Sequence, residues 1–341
     1  MSTLQKTLEI RTSPHIVSGV EVDIIMRNVV YALLPVAAFA IYAFGYTALV
    51  LLVVATASCV LAEHLLCILN KKETTIGDWS AAITGLLYGL TLPPGLPLWM
   101  VASGGFIAIG LGKFMFGGLG NNKFNPALVG RAVLQAAFPV AMTTWVPAFS
   151  VGRFDSILAS SLTFPFATPE FQAVTSATPL GAMKFDHQMT QTFDLALGLI
   201  NGSSGETSSI LILLGGAYLA SRKMLNWRIP VSIFAAVAVL SGLFHWINPD
   251  QYPSSIFMLF SGGLMLGAVF MATDMVASPM TTRGVIVYGG LIGALIFVIR
   301  IWGGLPEGVM YAILFGNAFS PLIDRVFQTT VYGTKKQRNS K

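Results

Sequence analysis

Five charged residues stand inside or at the ends of long apolar stretches of this sequence: Glu63, Lys113, Arg131, Asp274 and Arg300. Charge is costly to remove from water, so residues placed this way are functional candidates by default. Lys113 and Arg300 have stems long enough to carry their charge to an interface, and snorkelling is the plain reading for that pair. Asp274 differs, because it sits beside Thr273 at a break in its stretch, where a carboxylate can bind a cation or hydrogen-bond a cofactor. Amides form a second group. Asn122-Lys123-Phe124-Asn125-Pro126 is echoed by Asn317-Ala318-Phe319-Ser320-Pro321, and Asn122, Asn125 and Asn317 carry side chains that both donate and accept hydrogen bonds. His15, His64, His187 and His245 are scattered over separate segments, and Cys59 and Cys67 lack a C-x-x-C spacing, so no metal, haem or iron–sulfur site is predicted. Ser203 and Glu206 have the spacing of a capping box before an apolar run. Ala173-Val174-Thr175-Ser176-Ala177-Thr178-Pro179-Leu180 is, by composition alone, a small hydroxyl-rich turn ahead of a proline. No acid–base pair or nucleophile constellation marks a catalytic residue.

The elements that must position these residues are membrane spans. Of 341 residues 54% are hydrophobic and 10% charged, where a soluble domain has about 25% charged residues; the mean hydropathy is +0.72. Apolar runs recur at 28–45, 47–69, 80–92, 97–117, 126–146, 208–221, 228–247, 256–273, 284–302 and 307–325, which predicts an all-α integral membrane protein of about ten helices. The run at 80–92 is too short for a full crossing and ends in Pro93-Pro94-Gly95. A second echo, Gly85 through Thr91 to Pro97 against Gly267 through Thr273 to Pro279, supports two halves of five spans. Five is odd, so a duplicated half enters the membrane the other way round, an inverted repeat with broken helices near the midplane. The organisation expected is a segment 1–27, a first repeat 28–146, a loop 147–207, a second repeat 208–325 and a basic tail 326–341.

Charge distribution orients the chain. The net charge of +5 does not imply nucleic acid, because Lys71, Lys72, Lys123, Arg222, Lys223, Arg228 and Arg283 lie in short loops and Lys335, Lys336, Arg338 and Lys341 in the tail. The opposite loops, 91–97 and 248–255, contain no Lys or Arg, which places both termini in the cytoplasm and the loop 147–207 outside, with the lipid bilayer as the main partner. The polar, mixed-charge residues ahead of Arg27 lead one to expect no cleavable leader.

The segment at 173–180, the Asn-x-Phe-Asn-Pro-Ala run at 122–127, Gly205-Glu206-Thr207-Ser208, the break from Thr273-Asp274 to Ser278-Pro279 and Gly316-Asn317-Ala318-Phe319-Ser320-Pro321 together make the chain similar to the D subunits of Rnf ion-pumping electron-transfer complexes. That resemblance implies covalent FMN in phosphodiester linkage to Thr178, the last residue of an S/T-x-A-T motif here formed by Thr175, Ser176, Ala177 and Thr178. Ser176 and Gln172 depart from the glycine and the acidic residue frequent at those places. The resemblance further implies a fold like that of urea transporters and a second, non-covalent flavin, riboflavin or FMN, for which Asn122, Asn125, Asn317 and Asp274 are the candidate ligands. It implies subunits of the A, B, C, E and G types and a flavin-attaching enzyme as partners. A bacterial inner membrane, a periplasmic loop 147–207, and electron transfer between ferredoxin and NAD coupled to H+ or Na+ movement complete the expectation. Two other readings stay open: the B subunit of a sodium-pumping NADH:quinone reductase, and a non-redox solute channel or transporter of the same fold. A colourless anchor for redox partners is a third.

Overall fold

Long runs of Leu, Val, Ala and Ile without internal breakers fold as helices because, in hydrocarbon, only a helix satisfies every backbone N–H and C=O within one segment. The computed structural model describes residues 21–72, 74–165, 167, 177–186, 188, 190–206, 208–249 and 251–328. Thr175, Ser176 and the basic tail lie outside the described residues. Among the described residues fourteen α-helices follow in order: α1 (Val22–Phe44), α2 (Tyr46–Leu69), α3 (Ser80–Leu90), α4 (Leu98–Gly112), α5 (Pro126–Ala137), α6 (Pro139–Thr143), α7 (Pro179–Asp186), α8 (Thr192–Leu197), α9 (Ser209–Ser221), α10 (Arg228–Ile247), α11 (Ser255–Phe260), α12 (Leu264–Leu266), α13 (Thr282–Trp302) and α14 (Val309–Val326). Five helical stretches among the described residues are long and apolar enough to cross a membrane: Val22–Phe44, Tyr46–Leu69, Leu98–Phe116, Arg228–Ile247 and Thr282–Trp302. With the shorter apolar helices α3 and α9 beside them, the chain is a multi-pass membrane protein.

Two of the expected spans are broken, and a third, α3, is too short to cross. The run at 126–146 bends at Phe138, where Pro139 ends α5 and starts α6. The run at 256–273 is interrupted after Phe260, restarts at Leu264, and turns into a wider π-turn over Gly267–Met271. Helix α3 spans about 16 Å at about 1.5 Å per residue, and its free C-terminal carbonyls are met from elsewhere: Gly205 N donates to Leu90 O at 2.6 Å and Ser204 N to Leu92 O at 3.2 Å. That docking makes a buried helix end tolerable in the absence of water.

Close helix packing uses small residues. A Cβ on Gly85 of α3 would lie 2.5 Å from Thr56 Cα of α2, so any larger residue there forces the helices apart. Gly45 joins α1 to α2 at φ 71° and lies against the loop, with its Cβ position 1.9 Å from Arg153 O. Helix α2 packs on α4 and α4 on α5, while α10 packs on α13 and α13 on α14. The main core runs through both groups, from Leu33, Leu51 and Tyr88 to Ile233, Tyr288 and Ile313.

The expectation that Lys113 and Arg300 snorkel is wrong. Lys113 is 4% and Arg300 1% exposed. Lys113 Nζ pairs with Glu63 Oε1 at 2.7 Å and donates to Ser80 Oγ at 2.6 Å. Arg300 pairs with Glu307 Oε1 at 3.3 Å and donates to the carbonyls of Met258 and Ser261 at 2.6 and 2.8 Å. Lys113 found its carboxylate 50 positions away and Arg300 found one seven residues on, beyond the end of its own helix. The capping box fails as well: α9 starts at Ser209 with Ser208 as its cap, whose Oγ accepts from Leu211 N at 3.4 Å. Glu206 is buried at 6% exposure rather than spent on a helix start.

Candidate functional site

Among the described residues, two of the cavities gather the polar candidates. The first lies where α1, α3, α9 and the break after Met271 meet, and Asn122, Asn125, Asp274 and Lys113 reach it through apolar walls such as Leu87 and Phe270. Asn125 caps α5, its Oδ1 accepting from Ala127 N and Leu128 N at 3.0 and 3.4 Å, with Pro126 next in the first helical position. Its Nδ2 donates to Met271 O at 3.2 Å, bridging the two halves of the sequence. Asn122 Nδ2 donates to Asp274 Oδ2 at 3.0 Å, and Asp274 Oδ1 accepts from Val276 N at 3.0 Å. Three of the four polar candidates named from sequence thus share one cavity. Asn317 does not line it; its Oδ1 accepts from Tyr288 Oη at 2.6 Å inside the α13–α14 packing.

The second cavity, about 460 Å³, is walled by Trp145, Phe185 and Tyr311 and edged by Arg131, Gln135 and Glu307, with Thr178 at its rim. Thr178 is half-buried at the start of α7, where its Oγ1 accepts from Gly181 N at 3.1 Å and its carbonyl from Ala182 N at 2.8 Å. Helix α7 is fixed from two sides. Leu180 and Met183 are buried in a small separate core with Leu195, Ile200 and Phe257, each full burial contributing about 1.5–3 kcal/mol. On the other side Lys184 Nζ donates to the carbonyls of Arg300 and Leu305 at 3.0 and 3.2 Å and also to those of Ile299 and Gly303, at and just beyond the C-terminal end of α13. Burial pulls the Lys184 pKa below its ordinary value, while the carbonyls at the negative end of the helix dipole hold the ammonium charged against that pull.

A cavity of this size lies within the roughly 300–1,000 Å³ of small-molecule sites, and aromatic walls with a few polar groups are their usual lining. Glu307 and Lys184 have no sequence signal of their own: Glu307 follows Pro306 in a short loop and Lys184 reads as one loop cation among others.

Comparison with known proteins decides what kind of protein carries this geometry. The family model described as "NQR2, RnfD, RnfE family" matches residues 9–333. The chain belongs to that family. Within it the chain is 42% identical to the D subunit of the proton-translocating ferredoxin:NAD(+) oxidoreductase complex of Clostridium ljungdahlii, over 96% of each chain. It is 40% identical to the D subunit of the ion-translocating oxidoreductase complex of Stutzerimonas stutzeri, over 92% of each. The D subunit of the Na(+)-translocating ferredoxin:NAD(+) oxidoreductase complex of Acetobacterium woodii is 39% identical over 96% of each. The family match therefore extends over both groups of helices and the loop between them.

Proposed function

We propose that this chain serves as the D-type membrane subunit of an Rnf ion-translocating ferredoxin:NAD+ oxidoreductase and carries FMN on Thr178 through a phosphodiester. The observation that carries the reading is that the one threonine selected by the motif stands at the rim of an aromatic-walled cavity of about 460 Å³. When bound, the flavin supplies one-electron transfer chemistry. The chain's own residues do the rest. Thr178 Oγ1 provides the ester oxygen and remains able to accept from Gly181 N. The N-terminal turn of α7 favours the phosphate charge there. Trp145, Phe185 and Tyr311 offer faces that exclude water from a flat ring, and Arg131 and Gln135 offer donors to its polar edge.

The second flavin is a weaker fit. The amides and carboxylate at the first cavity match the donors and acceptors of a flavin edge, but about 130 Å³ is below the usual range for such ligands. Two inverted five-helix repeats are supported by the equal packing orders α2–α4–α5 and α10–α13–α14. The loop 147–207 is assigned to the periplasmic side of a bacterial inner membrane on the distribution of Lys and Arg. Partner subunits of the A, B, C, E and G types and a flavin-attaching enzyme follow from the same reading. The near-complete coverage of D-type relatives in both directions favours this assignment over the B subunit of a quinone reductase.

The test is mass spectrometry of the chain expressed with its flavin-attaching enzyme. The peptide containing Thr178 should gain the mass of FMN less water. Thr178→Val should lose that mass and the in-gel fluorescence, and Thr175→Val should keep both. An unmodified wild-type peptide refutes the redox reading in favour of a channel or transporter.

A further inference from the structure

Behind the Thr178 cavity lies a chamber of about 10 Å³, room for on the order of one water, lined among others by Arg131, Glu206 and Glu307. Arg131, Glu307 and Met310 line both spaces, so the wall between cavity and chamber is made of side chains. The two carboxylates converge on Gly263. Glu307 Oε2 accepts from Gly263 N at 3.1 Å, and Glu206 Oε1 lies 3.3 Å from where a Cβ on that glycine would stand. Glu206 feels the charges of both Glu307 and Arg131. The groups facing the pair are Arg131 from α5 and Arg300 from α13; Lys184 lies just beyond, on the carbonyls that end α13.

The two carboxylates are held differently. Glu307 is bound by Arg300, by Gly263 N and by Val309 N, whereas Glu206 is held by a hydrogen bond from Ser203. Arg131 is 8% exposed, and its Nε is buried without a hydrogen-bond partner, so a cationic donor beside the pair is not fully spent. With two arginines and two carboxylates the cluster is formally neutral. An extra negative charge in the adjoining cavity disturbs that balance in a medium that screens poorly. The nearest relief is a proton on the carboxylate that is not pinned by an arginine pair.

We propose that the pair of buried Glu206 and half-buried Glu307 takes up one proton, on Glu206, when a flavin in the Thr178 cavity gains one electron, and releases it when the electron leaves. The inference rests on the proposed function, since it needs a redox group in that cavity. The electron comes from the complex's preceding one-electron carrier, or from a mediator at an electrode. The proton comes from water reaching the cavity, and the carboxylate becomes a carboxylic acid with no other bond made or broken.

The test uses the full flavinylated chain in lipid nanodiscs, poised at an electrode. In the wild type the midpoint potential of the covalent flavin should fall by about 59 mV for each tenfold drop in proton concentration. Infrared difference spectra should show a carboxylic acid C=O band appearing on reduction and shifting in D2O. Glu206→Gln, nearly isosteric, should retain the FMN mass on the Thr178 peptide while losing both the band and the pH slope. Glu307→Gln serves as the second variant, expected to alter the band and move the slope. A wild type that reduces without a carboxyl band overturns the proposal, as does an unchanged slope and band in both variants. A wild-type peptide without FMN instead overturns the proposed function beneath it.

Discussion

Replacing Lys184 by methionine keeps the stem and removes the charge that ties α7 to the end of α13. Four carbonyl oxygens, of Ile299, Arg300, Gly303 and Leu305, then lose their shared donor. A hydrogen bond to a charged group contributes about 1.5–3 kcal/mol, and a cation at a helix C-terminus about 0.3–1 kcal/mol more. Lys184 is part-exposed, so solvent screens much of this, and the freed carbonyls can turn to water. A net cost of about 1–2 kcal/mol remains, a factor of about 5–30 in an equilibrium. The loss is local, because the small core of Leu180, Met183, Leu195, Ile200 and Phe257 still holds α7 from the other side. Hydrogen exchange of amides 181–186 in nanodiscs should therefore speed up about 5- to 30-fold in Lys184→Met, with α2, α10 and α13 unchanged and Lys184→Arg recovering most of the protection. Unaltered exchange at 181–186 would refute the argument that Lys184 positions the helix following Thr178.

Lys113→Met leaves Glu63 as an unpaired buried charge, which costs about 3–5 kcal/mol. Thermal unfolding in nanodiscs should show a large drop in Tm, and adding Glu63→Gln should restore much of it. Asn122→Leu removes a donor to Asp274 Oδ2 at a cost of about 1–3 kcal/mol, so Tm should fall and turnover of the assembled complex should slow, while the FMN mass on the Thr178 peptide stays. For orientation, Val151→Cys, fully exposed in the loop, should react with an impermeant thiol reagent applied from outside, whereas Lys71→Cys should not. The native Cys59 and Cys67 are buried and give no background, and the reverse labelling would overturn the topology.

The helices over α1, α2, α4, α10 and α13 were legible from local composition, because a span needs only an uninterrupted apolar run of sufficient length. Pro126 likewise marked a real helix start. The breaks at 261–263 and at Phe138 were not legible. Each carries a local breaker, Ser261-Gly262-Gly263 and Pro139, inside a run otherwise long enough to cross, and at the first the exposed backbone groups are met by Glu307 and Arg300. Ser203 and Glu206 show the same limit from the other direction. Their spacing fits a capping box, yet the loop carrying them is drawn onto the end of α3, and the helix waits for Ser208.

The sequence by itself determined that this chain lives in a membrane, where its long spans run and which threonine the motif selects, since each of these depends on residues adjacent in the chain. Only the tertiary structure decided the polar partnerships. Asn122 meets Asp274 across 152 positions, Lys113 meets Glu63 across 50, and Glu206 is brought beside Arg131 and Glu307. An isolated charge in an apolar run can snorkel, pair or act, and sequence cannot choose among these. The choice depends on whether the fold delivers an opposite charge or a hydrogen-bond partner to the same buried point, where desolvation makes any unpaired arrangement too costly to persist.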